Sequence, residues 1–219
     1  MSRAYTDRVE MKVYRSPRAF GALVLAHGAG AGQSSSFMVR MAEGLAERRL
    51  STATFDFPYI AAGRKVPDRA PILERAWTDA LAAAREQLPD EPLYIGGKSM
   101  GGRIATHVAS LGGAAPVSGV ILLGYPLHPP GRPEQRRDAH LPAIREPMLF
   151  VQGSRDAFGP AEEIRRLLPY LQNATLHEIE GGDHSFKVPG GRGAQEPVLV
   201  RIMDTVAAWA EARRSSPAP

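Results

Sequence analysis

Short apolar runs alternate along this chain with longer segments whose apolar residues recur at helical spacing. The runs include Ala22–Ala26, Val120–Leu123 and Met148–Val151, and the intervening segments are long enough for helices. A strand, a crossover helix and a second parallel strand form the βαβ unit. The alternation therefore predicts an α/β fold, with a mostly parallel sheet, helices on both faces and ligands at the carboxyl ends of the strands.

The other predicted elements continue this alternation. Further strands are predicted at Thr52–Phe57, Leu93–Ile95 and Leu176–Ile179, with an antiparallel edge strand within Val9–Tyr14. Helices are predicted over Met38–Arg49, Pro71–Ala84, Arg103–Leu111, Pro160–Leu171 and Pro197–Arg213. The Arg103–Leu111 helix is expected to close at Gly112-Gly113. Because no repeat or linker divides the chain, we expect one domain over residues 1–214 and a disordered tail over 215–219.

The composition excludes several classes of function. The 219 residues include no cysteine, so disulfide frameworks, thiolate metal sites, iron–sulfur clusters and a cysteine nucleophile are ruled out. A formal net charge of +4 is mild and gives little support to nucleic-acid binding. There is no membrane-length apolar stretch and no signal-peptide core at the amino terminus. We expect a soluble cytoplasmic monomer or homodimer that takes a small-molecule substrate and binds no nucleic acid, membrane, metal or cofactor.

One strand-to-helix turn carries the pattern G-x-S-x-G, in the segment Gly97-Lys98-Ser99-Met100-Gly101. A nucleophile on such a sharp turn has a strained backbone, and its neighbours two positions away on either side need to lack bulk. The start of the following helix directs N–H groups toward negative charge that develops beside the serine. The turn therefore predicts Ser99 as a nucleophile.

The motif alone leaves two other interpretations open. A phosphate-binding G-x-x-x-x-G-K-S loop needs a glycine at position 92, where this chain has Pro92. In the second alternative, Ser99 only caps the helix that follows it. A histidine and a carboxylate at suitable places elsewhere in the chain favour the nucleophile over both.

A serine nucleophile requires a histidine base, and that histidine requires a carboxylate to fix its orientation. In this kind of sheet the chain order is serine, acid, histidine. Asp156 follows the strand that begins at Met148, and His184 follows the last strand, so both come in the required order at strand ends. Asp138 is the alternative acid. The two histidines of the proline-rich stretch, His128 and His140, have no strand end before them.

An oxyanion hole needs two N–H donors. We assign these to Met100, directly after the nucleophile, and to Ala29, in the glycine-rich turn after an earlier strand. His27, at the start of that turn, is interpreted as a structural hydrogen-bonding residue rather than a base.

Two long connections, 58–70 and 125–145, can reach the predicted site. The candidate substrate-pocket residues on them are Tyr59, Arg64, Lys65, Tyr125, His128 and Arg136. The six cations counted on these connections also include Arg69, Arg132 and Arg137. Such a set is able to attract a substrate that carries a carboxylate or phosphate. The preferred interpretation of these cations is a solvated surface with no binding role.

The assembled pattern resembles the α/β-hydrolase family over nearly the whole chain, from about residue 10 to 212. It comprises His27-Gly28, Gly97–Gly101, Gly153-x-x-Asp156 and Gly182-x-His184. Three segments, Phe55–Tyr59, Gly96–Arg103 and Gly124–Gly131, are similar to a dienelactone-hydrolase-like group. That group contains relatives of the testis-expressed protein thirty and the third subunit of the non-specific lethal chromatin complex. Dienelactone hydrolase itself has a cysteine nucleophile, so its own activity is not implied here.

The resemblance implies, and the residues independently allow, a serine hydrolase that cleaves an ester-type substrate through an acyl-enzyme intermediate. The modest length leaves little chain for a separate lid, so we expect an open site. The alternative is a catalytically silent binding or scaffold protein with the same fold, because a fold does not determine a function.

Overall fold

The computed structural model describes residues 9–89, 91–112 and 116–214, and within them seven strands form one sheet. In chain order these are β1 (Met11–Tyr14), β2 (Gly21–Ala26), β3 (Leu50–Phe55), β4 (Leu93–Lys98), β5 (Gly119–Leu123), β6 (Met148–Gly153) and β7 (Ala174–Ile179). Their order across the sheet is β1-β3-β2-β4-β5-β6-β7. The β1–β3 pair is antiparallel and the other pairs are parallel, which confirms the predicted sheet and its edge strand. The predicted tail at 215–219, and Gly113 at the predicted helix stop, lie outside the described residues.

Helices cover both faces of this sheet. They are α1 (Ser36–Glu47), α2 (Pro58–Ala61), α3 (Ala70–Gln87), α4 (Met100–Ser110), α5 (Ala161–Leu167) and α6 (Arg192–Glu211). Short 3₁₀ turns occupy Leu141–Ala143 and Leu168–Tyr170. Buried side chains of α1 and α6 belong to one hydrophobic cluster, and those of α3, α4 and α5 belong to the other. The five inner strands, β2 to β6, are therefore shielded from water on both sides.

The central strands show why their sequences are almost entirely apolar. Along β2, Ala22 and Val24 pack with Trp77 in one cluster, whereas Leu23 and Leu25 belong to the other. Successive side chains of a strand point to opposite faces, so a strand buried on both faces has apolar residues at every position. β7 lies at the edge of the sheet and is only partly buried, which accounts for its half-polar sequence.

Proline positions explain where two helices differ from the sequence prediction. The helix predicted over Pro160–Leu171 ends at Leu167, because Pro169 lacks the N–H that would continue it and a 3₁₀ turn follows. The last helix begins at Arg192, well before its predicted start, and contains Pro197 in its interior. The connection that begins at Pro58 is also less irregular than predicted, since its first residues form α2.

The topology brings four strand ends to one place. β2, β4, β6 and β7 run parallel, so the residues that follow them emerge at the same edge of the sheet. His27, Ser99, Asp156 and His184 all come shortly after these strands. In the described part of the chain, no helix has the length and apolar character needed to cross a membrane.

Candidate active site

Ser99 occupies the turn between β4 and α4 in a backbone conformation that side-chain-bearing residues rarely adopt, with φ 51° and ψ −117°. A positive φ at a non-glycine residue is strained and persists only where its surroundings impose it. The surroundings here are the backbones of β2 and α4, which press against the turn from both sides. The strained turn places the serine at the carboxyl edge of the sheet.

The glycines on either side of Ser99 have no space for a side chain. A Cβ at Gly97 would lie 2.6 Å from the Ala26 carbonyl oxygen, and one at Gly101 would lie 2.6 Å from the carbonyl oxygens of both Ala26 and His27. These atoms belong to backbone, which cannot rotate away as a side chain can. The G-x-S-x-G spacing is therefore required by the close approach of β2 to the turn.

Ser99, His184 and Asp156 are joined by hydrogen bonds. Ser99 Oγ lies 2.8 Å from His184 Nε2, and His184 Nδ1 lies 2.8 Å and 3.0 Å from the two carboxylate oxygens of Asp156. A carboxylate can only accept, so the proton on the ring belongs on Nδ1 and Nε2 is left to accept from the serine hydroxyl. This is the tautomer that a histidine needs in order to act as a base toward serine.

Asp156 is buried and held from three directions. Besides His184, its carboxylate accepts hydrogen bonds from Gln152 Nε2 at 3.0 Å and from the Phe158 N–H at 2.8 Å. The Phe158 ring lies 4.1 Å from the His184 ring between centroids, tilted by 31°. The sequence prediction did not include Gln152 or Phe158. A signal was available for Gln152, which is a polar residue in the otherwise apolar run of β6.

The alternative roles for Ser99 and the alternative acid and histidines do not match the contacts that these residues make. Ser99 stands at the amino-terminal cap of α4, yet its side chain makes no capping hydrogen bond and instead contacts His184. Asp138, the alternative acid, pairs with Arg136. His140 lies 2.8 Å from the Thr106 hydroxyl. His128 contacts the Pro129 carbonyl oxygen and Glu163.

The two residues assigned to the oxyanion hole both line the cavity beside Ser99. Ala29 is in the turn after β2, and a Cβ added to neighbouring Gly28 would lie 3.6 Å from Ser99 Cβ. Among the described residues, no hydrogen bond uses the N–H of Ala29 or of Met100. Met100 begins α4, where N–H groups have no partner within the helix. Both N–H groups are thus available to a ligand.

His27, interpreted as structural, lies beneath this turn. It is fully buried, accepts a hydrogen bond from the Phe57 N–H at 3.1 Å through Nε2, and contacts the Gly28 carbonyl oxygen at 2.7 Å through Nδ1. Burial lowers the pKa of its ring. With both nitrogens engaged in the backbone, His27 shapes the turn and is not free to move a proton.

Lys98, immediately before the nucleophile, supports the histidine from behind. Its Nζ donates a hydrogen bond of 2.6 Å to the backbone carbonyl of His184 and lies 5.3 Å from the centroid of the Phe186 ring. Burial lowers the pKa of Lys98 to about 8, although the negative charges of Asp156 and Asp183 oppose that shift. The lysine thus links the serine turn directly to the histidine loop.

A cavity of about 850 Å³ opens beside Ser99 and His184. Much of its wall is apolar and comes from the side chains of Phe37, Met38, Leu73, Pro126, Phe158 and Leu199. Its charged side chains are Arg40, Asp68, Lys98, Arg103, Arg137 and Lys187. Such a combination of apolar surface and a few polar groups is typical of small-molecule sites.

The six candidate pocket residues lie elsewhere, which corrects the sequence-based expectation. Tyr59 is fully buried, and its hydroxyl donates to the Ala29 carbonyl oxygen at 2.9 Å; burial raises its pKa to about 12. Tyr125 is also buried and donates to the Arg137 carbonyl oxygen at 2.6 Å. Both side chains therefore support the cavity wall from below without lining it.

The four polar candidates also do not line this cavity. Arg136 pairs with Asp138 and Glu163, and His128 is buried beside the same Glu163. Arg64 pairs with Asp68 and lines a separate depression. Lys65 is exposed on the same connection. Ion pairs hold Arg64 and Arg136 outside the cavity.

Two arginines occupy the position expected for those cations. Arg137 belongs to the predicted set of cations on the long connections, and it is the member of that set that lines the cavity. Arg103 was not predicted as a site residue. Its signal was its spacing, because it lies one helical turn after Ser99 on α4 and so shares a face with it.

Within the described ranges, no group of three or more His, Asp or Glu side chains is arranged to hold a metal ion.

Two comparisons with known protein sequences gave matches. A family model described as "Alpha/beta hydrolase domain" matches residues 19–211. Among curated proteins, polyketide synthase ThaQ of Burkholderia thailandensis is 35% identical over 74 residues, which cover 34% of this chain. The matched stretch spans only 4% of that much longer protein.

Solved structures share the fold at low sequence identity. An alpha-beta serine hydrolase homologue from Coxiella burnetii has a TM-score of 0.72 and 17% identity, covering 91% of this chain and 90% of that one. Dienelactone hydrolase from Anabaena variabilis has a TM-score of 0.74 and 20% identity, with 96% and 94% covered. Est1E from Butyrivibrio proteoclasticus, solved with ferulic acid, has a TM-score of 0.70 and 15% identity, with 95% and 96% covered.

Proposed function

Because the chain belongs to the α/β-hydrolase family, we propose that it is a serine hydrolase that cleaves an ester-type bond, a carboxylic ester or thioester, in a small-molecule substrate. The observation that carries this proposal is the continuous hydrogen-bonded chain Ser99–His184–Asp156 at the edge of an open cavity. A structural serine has no need of a strained backbone, an oriented histidine and a buried carboxylate together.

The first half of the reaction acylates Ser99. His184 Nε2 takes the hydroxyl proton as Ser99 Oγ attacks the carbonyl carbon, and the carbonyl oxygen becomes an oxyanion. The tetrahedral intermediate collapses when His184 returns that proton to the leaving alcohol or thiol. Asp156 stabilises the imidazolium that exists between these two proton transfers, and its contacts with Gln152 and Phe158 keep it oriented.

The oxyanion is stabilised by the N–H groups of Ala29 and Met100. Both residues line the cavity, and neither N–H is used by a described neighbour. Losing one such donor typically costs about 3 kcal/mol of transition-state stabilisation. Tyr59 supports this arrangement, since its hydroxyl donates to the Ala29 carbonyl and so fixes the peptide group that directly follows the Ala29 N–H.

The second half of the reaction releases the acid. His184 removes a proton from a water molecule, which attacks the acyl-enzyme carbonyl, and the proton then returns to Ser99 Oγ. Both halves of the reaction move a proton between Ser99 and His184, which are already within hydrogen-bond reach.

We further propose that the chain belongs to the dienelactone-hydrolase-like branch, on the strength of the three segments that resemble it.

A fluorophosphonate probe tests the nucleophile, because it phosphonylates only an activated serine. We expect labelling of the wild-type protein and loss of labelling in Ser99→Ala. Ser110→Ala is the matched control, since Ser110 is at the far end of α4 and donates to the His107 carbonyl oxygen. Labelling that persists in Ser99→Ala would contradict the assignment.

A panel of p-nitrophenyl esters with short and long acyl chains then tests hydrolysis. We expect turnover that depends on Ser99 and falls by roughly 10⁶-fold in kcat in Ser99→Ala. A folded wild-type protein that neither reacts with the probe nor hydrolyses any ester would instead favour the alternative, a silent binding protein.

A further inference from the structure

Two cationic side chains, Arg103 and Arg137, line the cavity beside Ser99. Both are partly buried, and neither forms an ion pair with any residue that the structure describes. A guanidinium on a partly buried wall loses part of its hydration, and the usual compensation is a carboxylate partner. Such a partner is not found for either arginine within the described chain.

Arg103 lies one helical turn after the reacting serine. Its backbone N–H donates to the Ser99 carbonyl oxygen at 3.0 Å, the helical hydrogen bond between residues four apart. Both residues line the cavity. Arg103 Nε is buried without a hydrogen-bond partner.

A polar chain behind Arg103 limits its movement. Arg103 Nη1 lies 3.4 Å from His107 Nε2, and His107 Nδ1 lies 2.8 Å from Glu74 Oε1. Because the carboxylate accepts from Nδ1, Nε2 of the neutral ring accepts from the guanidinium. The guanidinium is thus held on one side by His107, and the residue lines the cavity.

The other charged residues of the wall leave these two arginines uncompensated. Arg40 pairs with Glu196, Lys98 donates to the His184 carbonyl, and Lys187 is exposed to solvent. The carboxylate of the lining, Asp68, pairs with Arg64 outside the cavity. Burial lowers the pKa of Arg103 and the positive charge of Arg137 lowers it further, whereas Tyr125 and Glu74 oppose the shift.

We propose that Arg103 and Arg137 bind a carboxylate of the substrate, so that the preferred substrate is an ester or thioester carrying a free carboxylate in addition to the bond that is cleaved. This inference rests on the proposed hydrolase function and deepens it. A carboxylate between two guanidinium groups relieves their mutual repulsion and accepts from planar donor forks. The apolar wall accommodates the chain between this carboxylate and the reacting carbonyl.

Paired substrates test this selectivity. The mono-p-nitrophenyl ester of adipic acid carries a free carboxylate, and its methyl ester is the neutral counterpart of nearly the same shape. We expect kcat/KM to be at least about 10-fold higher for the acid, with the preference falling as salt is added. Equal kcat/KM for the two, or a preference for the neutral ester, would exclude a carboxylate in the acyl half of the substrate.

The position of the carboxylate is decided by a second pair. In 4-acetoxybenzoate the carboxylate lies on the leaving group, and methyl 4-acetoxybenzoate is its neutral counterpart. A preference for the acid in the adipate pair puts the carboxylate in the acyl half, and one in the benzoate pair puts it in the alcohol half. Either supports the inference, and absence of both refutes it.

Variants connect the preference to the two arginines. Arg103→Gln and Arg137→Gln should each lower kcat/KM for the acid by about 10- to 100-fold more than kcat/KM for the neutral ester. Arg103→Lys, which keeps the charge and loses the fork, should give an intermediate value. Arg166→Gln is the matched control, since this exposed arginine of α5 loses one charge away from the cavity. Equal losses for both esters would indicate a structural role only.

Binding without turnover separates this inference from the proposed function. In the Ser99→Ala protein, calorimetric titration should show monomethyl adipate binding at least about 10-fold more tightly than dimethyl adipate, and Arg137→Gln should remove the difference. If the wild type hydrolyses no ester, the proposed function fails and the titration still decides the carboxylate site. If neutral esters are hydrolysed but the titration shows no difference, the function stands and the carboxylate site is refuted.

Discussion

The turn around Ser99 and the connection 125–145 both border the cavity, but they are held in place by different kinds of contact. At the turn, backbone packs against backbone: a Cβ added to either glycine flanking Ser99 would lie 2.6 Å from a carbonyl oxygen. In the connection, the predicted pocket residues are held by contacts of their side chains. Arg136 pairs with Asp138 and Glu163, and Tyr125 donates to the backbone of Arg137.

This difference explains where sequence-based prediction succeeded. A turn fixed by backbone contacts allows one residue type at each critical position, so its geometry is visible as a pattern. A connection fixed by ion pairs offers several cations to the same space, and only the pairing decides which of them stays free. Arg137 lines the cavity, whereas Arg136 beside it does not.

The largest expected effect separates the acid after β6 from the alternative in the connection. Asp156→Asn should lower kcat by about 10⁴-fold, because the amide no longer selects the histidine tautomer that accepts from Ser99. Asp138→Asn, in the connection, should stay within about 3-fold. Ester hydrolysis, with circular dichroism to verify folding, measures both; a larger loss in Asp138→Asn would reverse the assignment.

The backbone contacts at the turn are tested by Gly101→Ala. The added methyl would lie 2.6 Å from two carbonyl oxygens, so we expect destabilisation by about 1–3 kcal/mol and loss of most activity. Gly30→Ala is the matched control, since a Cβ there meets nothing within 4 Å. Urea denaturation measures the free energy of unfolding of each; similar values for both variants would show that the turn tolerates bulk.

Lys98 should make the free energy of unfolding depend on pH. Its pKa is lowered from 10.5 to about 8 by burial, so between these pH values the unfolded chain binds more protons than the folded one. The free energy of unfolding of the wild type, relative to Lys98→Met, should therefore rise as the pH increases from 8 to 10.5. Denaturation of both proteins across this range provides the measurement, and a difference that does not vary with pH would contradict the burial of a charged lysine.

Kinetics should distinguish positioning by Lys98 from a purely structural role. Lys98→Met removes the hydrogen bond to the His184 carbonyl. We expect a fall in kcat of about 10-fold with little change in KM, because Lys98 Nζ is engaged by the His184 carbonyl and its loss removes support from the histidine loop. A variant that changes KM alone would indicate that Lys98 contacts substrate instead.

The smallest effect is expected in the connections. Arg136→Gln removes ion pairs with Asp138 and Glu163, and Lys65→Gln removes an exposed cation; none of these residues lines the cavity, and surface pairs contribute about 0–1 kcal/mol. Hydrolysis of neutral and acidic esters should change by less than about 2-fold. A selective loss toward acidic esters would return these residues to the substrate pocket.

The sequence by itself determined the alternating elements, the parallel sheet and the positions from which the serine, the acid and the histidine emerge. Periodicity reports burial, because a strand covered on both faces is apolar throughout and a helix is apolar along one stripe. The spacing of small residues around Ser99 reports the close approach of backbone. Both signals are local, so each can be recognised without knowledge of the partner.

Only the tertiary structure decided which side chains surround the substrate. Arg103 and Arg137 line the cavity, whereas Arg64 and Arg136 are paired with carboxylates. Gln152 and Phe158 hold the acid, and Lys98 holds the histidine loop from a different element. Long polar side chains have many accessible conformations. Which one is occupied depends on partners that chain folding brings near, and sequence spacing does not encode those partners.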